Sequence, residues 1–319
     1  MEMKQAALTL AQASGLFAAA RRATASQLRI LCYHGLWVTP GFEFGDCTFI
    51  GVDQFEARME RLKRSGLPVL PLGEALDRLA AGTLPPAAVA ITIDDGWVST
   101  YTHMLPVLES HGFPATLYAT TWYAGRDLPV VNLAIAYLIE ASGREDVDFD
   151  TKFYEIEGLP VPERLDALRR FGAELGVDEA WLENRQLHIM SAEEMADSKR
   201  RGLDLQLHTH RHIEVEHKVD ELGAEVEENR AFLEQVAPGS ALEHFCYPCG
   251  SHHPTSPEVL AAVGVRSAML DVEGLNAPGS DPYKLRRLLD GRRVTDIEFD
   301  AYLAGVLHYT AKAKSLLRG

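Results

Sequence analysis

Two hydrophobic rhythms alternate along this chain. Short apolar runs at residues 28–33, 88–93 and 115–119 have the length of strands. The run at 88–93 is rich in β-branched types, as suits a strand buried on both faces. Residues 203–207 alternate as a strand does, and 243–247 form another. Between these runs the apolar positions recur at helical spacing. Residues 55–65 predict a helix stopped by Gly66 and Pro68, and 101–110 predict one closed by His111 and Gly112. Ser191 and Glu194 have the spacing of a capping box at the start of a further helix, which Gly202 stops. An acidic helix is expected over 219–236 and one last helix over 296–317. Strand, helix, strand at these separations predicts a parallel sheet with crossover helices.

Two stretches depart from this rhythm. Residues 125–186 offer an apolar helix at 130–141, a polar strand-like piece at 147–156 and one or two charged helices. They read as an insertion over one rim of the sheet. Ahead of the first strand, residues 6–20 are rich in Ala and Leu but interrupted by Thr9, Gln12, Ser14 and Gly15. Arg21 and Arg22 follow, whereas a secretory signal carries its positive charge before the apolar core. Residues 1–27 are therefore expected to form an amphipathic helix that packs on the body or touches a membrane surface. The remainder, 28–319, reads as one α/β domain carrying the insertion.

Composition narrows the function classes. A formal charge of −15 over 319 residues opposes nucleic-acid binding, which needs a basic surface to neutralise phosphate. No apolar run is long enough to span a bilayer as a helix. Four cysteines, Cys32, Cys47, Cys246 and Cys249, are too few for a disulfide framework at this length. The placement of reactive side chains says more. Asp94 and Asp95, the cluster at 208–212, and the segment 247–250 each follow a predicted strand directly. In parallel α/β sheets ligand sites form at the carboxyl ends of strands, so these clusters can meet at one rim.

His208 and His212 are two imidazoles four apart on a turn that follows a strand, and both can point at one ion. Zinc, iron or cobalt accepts two such imidazoles plus a carboxylate and keeps positions open for water. Asp94 and Asp95 need compensation at the end of a buried strand, because like charges repel and burial disfavours ionisation. An Asp-Asp-Gly tripeptide also suits an exposed turn. The apolar strand before it and Trp97 after it favour a partly buried site. Successive side chains diverge there, so one carboxylate can bind metal while the other acts as general base. Those two functions are the minimum for hydrolysing an amide with activated water.

These residues resemble the polysaccharide deacetylases, the NodB-homology group also called carbohydrate esterase family four. Thr92-Ile93-Asp94-Asp95-Gly96 stands where that family has Thr-Phe-Asp-Asp-Gly. His208-Thr209-His210-Arg211-His212 matches its His-Ser/Thr-x-x-His, and Phe245-Cys246-Tyr247-Pro248-Cys249-Gly250 is similar to its Phe-x-Tyr-Pro-Tyr-Gly. Leu31-Cys32-Tyr33-His34 resembles the opening strand ending in Tyr-His, and Leu285-Arg286-Arg287-Leu288 the late Leu-Pro-Arg-Ile segment. All five occur in the family's order, over residues 28–299.

The resemblance implies a distorted, incomplete (β/α) barrel of about seven parallel strands. It implies metal-dependent removal of an N-acyl group, first of all acetyl, from an amino sugar in a glycan or glycan precursor. Asp95, His208 and His212 would be the metal ligands, with Zn2+ first and Co2+, Fe2+ and Ni2+ as alternatives. Asp94 would be the base that takes a proton from metal-bound water. The backbone N–H of Cys249 would help hold the oxyanion, a donor whose loss typically lowers rate by about 10²-fold or more. Arg287 would hydrogen-bond Asp94 and keep it ionised.

The chain departs from the family pattern at three places. Cys249 replaces a Tyr, which leaves the backbone donor in place but alters the sugar pocket. Cys246 stands where other members have an Arg aimed at the base, which moves that task onto Arg287. No good Leu-x-His motif supplies a general acid: Val306-Leu307-His308 is nearest but falls inside the predicted last helix. His34, His210, His252 and His253 are the other candidates, and His34, ending the first strand, is preferred. The rival readings are a glycan-binding relative without turnover, hydrolysis of another bond such as a phosphoester, and a redox or structural-zinc pair at Cys246 and Cys249. A redox pair should open a helix with a thiol of lowered pKa, whereas Pro248 and Gly250 suggest a strand-ending turn. The expected setting is a cytoplasmic enzyme of surface-polysaccharide synthesis, peripheral to the membrane, acting on a lipid-, nucleotide- or oligosaccharide-linked amino sugar. A secreted or periplasmic location is the alternative.

Overall fold

The computed structural model describes residues 2–39, 43–45 and 48–306. Its first segment forms two helices where one was expected, α1 (Glu2–Ala13) and α2 (Leu16–Ala23), because Gly15 takes a left-handed φ of 82° between them. β1 (Arg29–Tyr33) follows, then β2 (Leu36–Trp37) and β3 (Ile50–Gly51), which pair with each other outside the main sheet. α3 (Val52–Ser65) and α4 (Leu72–Ala80) lead to β4 (Val89–Asp95). A π-helical turn at Thr100–Met104 runs into α5 (Leu105–His111), and β5 (Thr116–Ala119) comes next. The stretch 125–186, read as an insertion, holds four helices joined by loops and no strand: α6 (Val131–Ser142), α7 (Phe149–Glu157), α8 (Val161–Glu174) and α9 (Ala180–Glu183). The chain then forms α10 (Ala192–Arg200), β6 (Asp204–Leu207), α11 (Val219–Val236) and β7 (His244–Cys246). It closes with α12 (Ser256–Ala262), β8 (Ser267–Met269), β9 (Leu288–Leu289) and α13 (Asp296–Leu303).

Seven strands form one sheet in the order β8-β7-β6-β5-β4-β1-β9, and every pairing in it is parallel. Curled, with helices on its outside, this is the incomplete (β/α) barrel that the resemblance implied. Every residue of β1 and the first six of β4 are buried, which is why both read as continuous apolar runs. Arg29 is tolerated inside β1 because its guanidinium donates to the carbonyls of Thr24, Gln27 and Leu303. Those bonds fix the ends of α2 and α13 to the amino end of the sheet. All seven strands point one way, so the loops after β1, β4, β6, β7 and β8 open on the same rim.

Two predicted elements are corrected. Residues 147–156 read as a polar strand, but 149–157 form α7. Phe149, Phe153 and Ile156 fall on one helical face, and Asp148 caps the helix by accepting from the Thr151 N–H at 2.8 Å. The last helix is interrupted after Leu303. Gly305 adopts φ 79°, and a Cβ there would lie 2.4 Å from the Thr24 hydroxyl. Residues 307–317 of the expected helix, and His308 with them, lie outside the described residues. The capping box at Ser191 and Glu194 and the span of α11 are as predicted. Among the described residues no helix is long and apolar enough to cross a membrane.

Candidate metal and catalytic site

β4 carries Asp94 and Asp95 as its last two residues, and the left-handed φ of 71° at Asp95 breaks the pleat there, so both carboxylates come close to His208. Asp94 is 1% exposed and gripped by a bidentate arginine: Arg287 Nη1 donates to Oδ1 at 2.8 Å and Nη2 to Oδ2 at 2.7 Å. The Cys32 and Cys246 thiols approach Oδ2 at 3.5 and 3.3 Å, and His34 Nε2 lies 3.7 Å from the same oxygen. Burial pushes Asp94 upward, but the charge and hydrogen bonds of Arg287 outweigh it and bring the carboxyl down to about 2. Burial pushes both thiols well up, against the pull of Arg287, so they remain neutral donors. Arg287 Nη2 also pairs with Asp271, which follows β8.

Asp95 is the more exposed of the two, at 13% against 2% for the side chains. Its Oδ2 accepts from the Trp97 indole at 2.7 Å, which leaves Oδ1 between His208 Nε2 at 3.1 Å and His212 Nε2 at 3.3 Å. The His208 ring is aimed from behind: Nδ1 donates to the Cys246 carbonyl at 2.8 Å, which directs Nε2 toward Asp95. Its backbone N–H donates to Asn229 Oδ1, and Asn229 in turn donates to the Ala119 carbonyl and the Thr121 hydroxyl. One buried amide on α11 thus ties the ends of β5 and β6 together. Burial raises Asp95, yet the bonds from His208 and His212 take it well below the usual carboxylate range. Burial likewise lowers His208, and Asp95 and Asp94 reverse that and raise it. A second positive charge, besides Arg287, is therefore favoured where the three side chains meet.

That donor set fits a divalent ion. Separations of 3.1 and 3.3 Å match the edge of about 3.3 Å in a tetrahedron with zinc–ligand bonds near 2.0–2.1 Å. Two imidazoles and one carboxylate suit zinc, iron or cobalt. Cys32, His34 and Asp94, and Asp94, His208 and Cys246, also cluster closely enough to ligate among the described residues. Both groups include Asp94, and the guanidinium already bound to it opposes a cation there.

The loops around this point are tightly bent. Asp95, Thr209, His212 and Cys249 are four of the six non-glycine residues with positive φ among the described residues. Each helps turn a strand-end loop so that its donors face the rim. After β7, Gly250 and Ser251 donate to the Tyr247 and Pro248 carbonyls, which leaves the Cys249 N–H outside the turn's own bonds. Exposure rises across the site, from side chains of Asp94 at 2% and Asp95 at 13% to His212 at 36%.

Of the five histidines weighed as acids, His308 lies outside the described residues, and among the other four the structure brings His34 to Asp94. His210 turns away to the Thr121 hydroxyl at 2.8 Å, with Glu228 at 3.8 Å. His252 lies against the Tyr247 ring, and His253 bonds the Thr255 hydroxyl. The Cys246 sulfur is buried against Asp94 and Arg287, and among the described residues no ligand cluster pairs it with Cys249. Partial burial near Asp95, Asp271 and Glu214 pushes the Cys249 thiol up to about 11, the opposite of a reactive redox cysteine. Sequence reasoning missed Asp271 and Asn229. Asp271 obeys the strand-end rule, but three-residue β8 is too short to announce itself; Asn229 carried no signal beyond being polar on the inner face of α11.

Comparison with known proteins adds three findings. A family model described as polysaccharide deacetylase matches residues 81–268, a span that includes Asp94, Asp95, His208, His212 and Cys249. Solved structures share the fold at low identity. The Streptococcus pyogenes deacetylase PplD in complex with acetate is 17% identical, with a TM-score of 0.62 over 88% of this chain and 99% of that one. IcaB from Ammonifex degensii is 21% identical, with a TM-score of 0.60 over 87% and 97%. A de-N-acetylase from Aggregatibacter actinomycetemcomitans is 14% identical, with a TM-score of 0.60 over 86% and 99%. No curated protein matches the chain in sequence.

Proposed function

This chain belongs to the polysaccharide deacetylase family, and on that premise we propose that it hydrolyses the N-acetyl group of an amino sugar in a glycan or glycan precursor. The observation that carries the proposal is the meeting of Asp95, His208 and His212 at one point beside an arginine-held Asp94. Asp95, His208 and His212 would hold a divalent ion, Zn2+ first. Bound there, the ion supplies Lewis acidity to the acyl carbonyl and lowers the pKa of a water, as a base as weak as Asp94 requires.

Asp94 takes the proton of the attacking water. Among the described residues Arg287 is the one partner of its Oδ1, so that oxygen keeps a lone pair for the proton while the guanidinium preserves the charge. The Cys249 N–H hydrogen-bonds the oxyanion of the tetrahedral intermediate. His34, 3.7 Å from Asp94 Oδ2, passes a proton to the departing amine. The setting we propose is cytoplasmic synthesis of a surface polysaccharide, on a lipid-, nucleotide- or oligosaccharide-linked substrate. The N-terminal helices touch the membrane peripherally, a reading supported by Met3 and Leu10 at 88% and 72% exposure.

The test combines elemental analysis with acetate release from N-acetylated glucosamine oligomers, before and after chelation. We expect one divalent ion per chain, release that stops on chelation and returns with metal, and loss of both in His208→Ala. Undiminished release by fully demetallated protein would sink the metal assignment.

A further inference from the structure

We propose that the groove between the α1–α2 pair and the C-terminal turns of α3 and α13 seats the anionic headgroup of a membrane phospholipid. The outer stripe of α1 then lies among the acyl chains. The inference rests on the membrane reading of the N-terminal helices and gives it a specific ligand pocket.

α1 is apolar on two sides. Leu8 is buried toward the body, and Lys4 anchors the helix to Glu298 in the first turn of α13. Facing outward, Met3, Ala6, Ala7 and Leu10 are all exposed, and positions 3, 6, 7 and 10 form one helical stripe. With Leu16 at 50% exposure, the first sixteen residues hold three of the six large exposed apolar side chains among the described residues. The body satisfies one face of α1 and leaves the other to a different apolar phase.

On the body side of α1, across the helix from this stripe, lies a cavity of about 420 Å³ with Gln12 on its wall. Phe17, Ala18, Leu67 and Leu303 line its apolar side, and Arg21 and Arg64 its polar side. Arg61, also on the wall, is committed to Asp296 and to Asp300, a carboxylate that itself lines the cavity and is neutralised by that pair. Arg64 has Glu60 at 3.8 Å, and Arg21 has no ion pair among the described residues. Two available cations on an apolar wall are the complement of an anionic amphiphile.

Charge is segregated in the same sense. Residues 1–24 hold Lys4, Arg21 and Arg22 against Glu2, in a chain whose total is −15. Residues 307–319 carry Lys312, Lys314 and Arg318 and no acidic side chain, so they suit an arginine-lined groove poorly as its filling. Arg29 holds the Leu303 carbonyl at the amino end of the sheet, whereas the catalytic rim lies at the carboxyl end. Lipid docking at the groove therefore leaves the rim open.

The experiment is flotation of the full-length chain with vesicles of phosphatidylcholine alone and of phosphatidylcholine with phosphatidylglycerol. We expect salt-sensitive flotation with the anionic vesicles and little with the neutral ones. Joint Arg21→Gln and Arg64→Gln substitution should lower partitioning about 25-fold, at about fivefold per cation. Leu10→Ser should lower it independently. Both variants should retain wild-type circular dichroism and acetate release from soluble oligomers, so a failed membrane site is distinguishable from a failed deacetylase reading. The proposal is overturned if wild type does not float, if the folded double arginine variant floats as wild type does, or if inorganic phosphate stabilises a chain that ignores vesicles.

Discussion

Two aspartates of this barrel are buried against arginines, Asp94 against Arg287 and Asp290 against Arg58, and their acidities move in opposite directions. Both are almost wholly inaccessible, and burial pushes both carboxyls upward. The difference lies in how much of each guanidinium reaches the carboxylate. Arg287 places an amino group on each oxygen of Asp94. Arg58 gives Asp290 only Nε, at 2.9 Å on Oδ2, and spends its amino groups on Asp296 and the Val294 carbonyl. Asp290 Oδ1 and the Tyr33 hydroxyl beside it are both buried, and neither has another hydrogen-bond partner among the described residues. The outcome is about 2 for Asp94 and about 6 for Asp290. Burial sets the common background, and the geometry of the partner decides the sign. One pair keeps the proposed base ionised at the rim, while the other ties α3 to β9 and α13 and pays in ionisability.

The comparison breaks most sharply on turnover. Asp94→Asn should bind metal and remain folded while losing about 10³-fold in kcat, within the range of a lost general base. Asp290→Asn should stay within about twofold of wild type in the same acetate-release assay. Equal losses in the two variants would remove the distinction between base and strut.

A second effect, about 3 kcal/mol, concerns stability against pH. Asp290 titrates at about 6 in the folded chain against 3.8 for an ordinary aspartate, so the unfolded chain loses its proton first as pH rises. This group therefore favours unfolding increasingly from about pH 4 to about pH 6. Urea unfolding across that window should show the decline in wild type and a shallower one in Asp290→Asn. A wild-type-minus-variant difference that is flat with pH would mean that Asp290 titrates normally.

The smallest effect sharpens the role of Arg287. Lysine offers one point charge where arginine offers a fork, so Arg287→Lys should let burial lift Asp94. The acid limb of kcat/KM should move up by about one pH unit, giving about a tenfold loss on the acid side and little change above neutrality. A uniform loss at every pH would instead assign Arg287 to substrate binding.

The site was largely legible in the sequence, because its parts are local features of strand ends. An apolar run ending in Asp94 and Asp95, and an alternating one ending at His208, announce both the strand and the cluster it delivers. What was not legible depends on elements too short to show a period. β8 has three residues and β9 two, so Asp271 beyond β8 could not be placed beside Arg287. The insertion misled for a different reason: Val147, Phe149 and Thr151 alternate with aspartates and a lysine, but the spacing of Phe149, Phe153 and Ile156 and the cap at Asp148 prevailed. In the first segment a single left-handed glycine divided one expected helix into two. Hydrophobic periodicity does not report such a break.

The four left-handed residues around the proposed metal site set a limit on how this molecule can be improved. Backbone held in such regions costs on the order of 1–3 kcal/mol per residue and persists because its surroundings over-determine it. Relaxing Thr209 or His212 into an ordinary conformation would swing an imidazole away from Asp95. Thermal robustness and catalytic competence therefore compete for the same few loops. A more heat-tolerant version of this barrel has to be sought in its outer helices, where reinforcement leaves the aim of the ligands untouched.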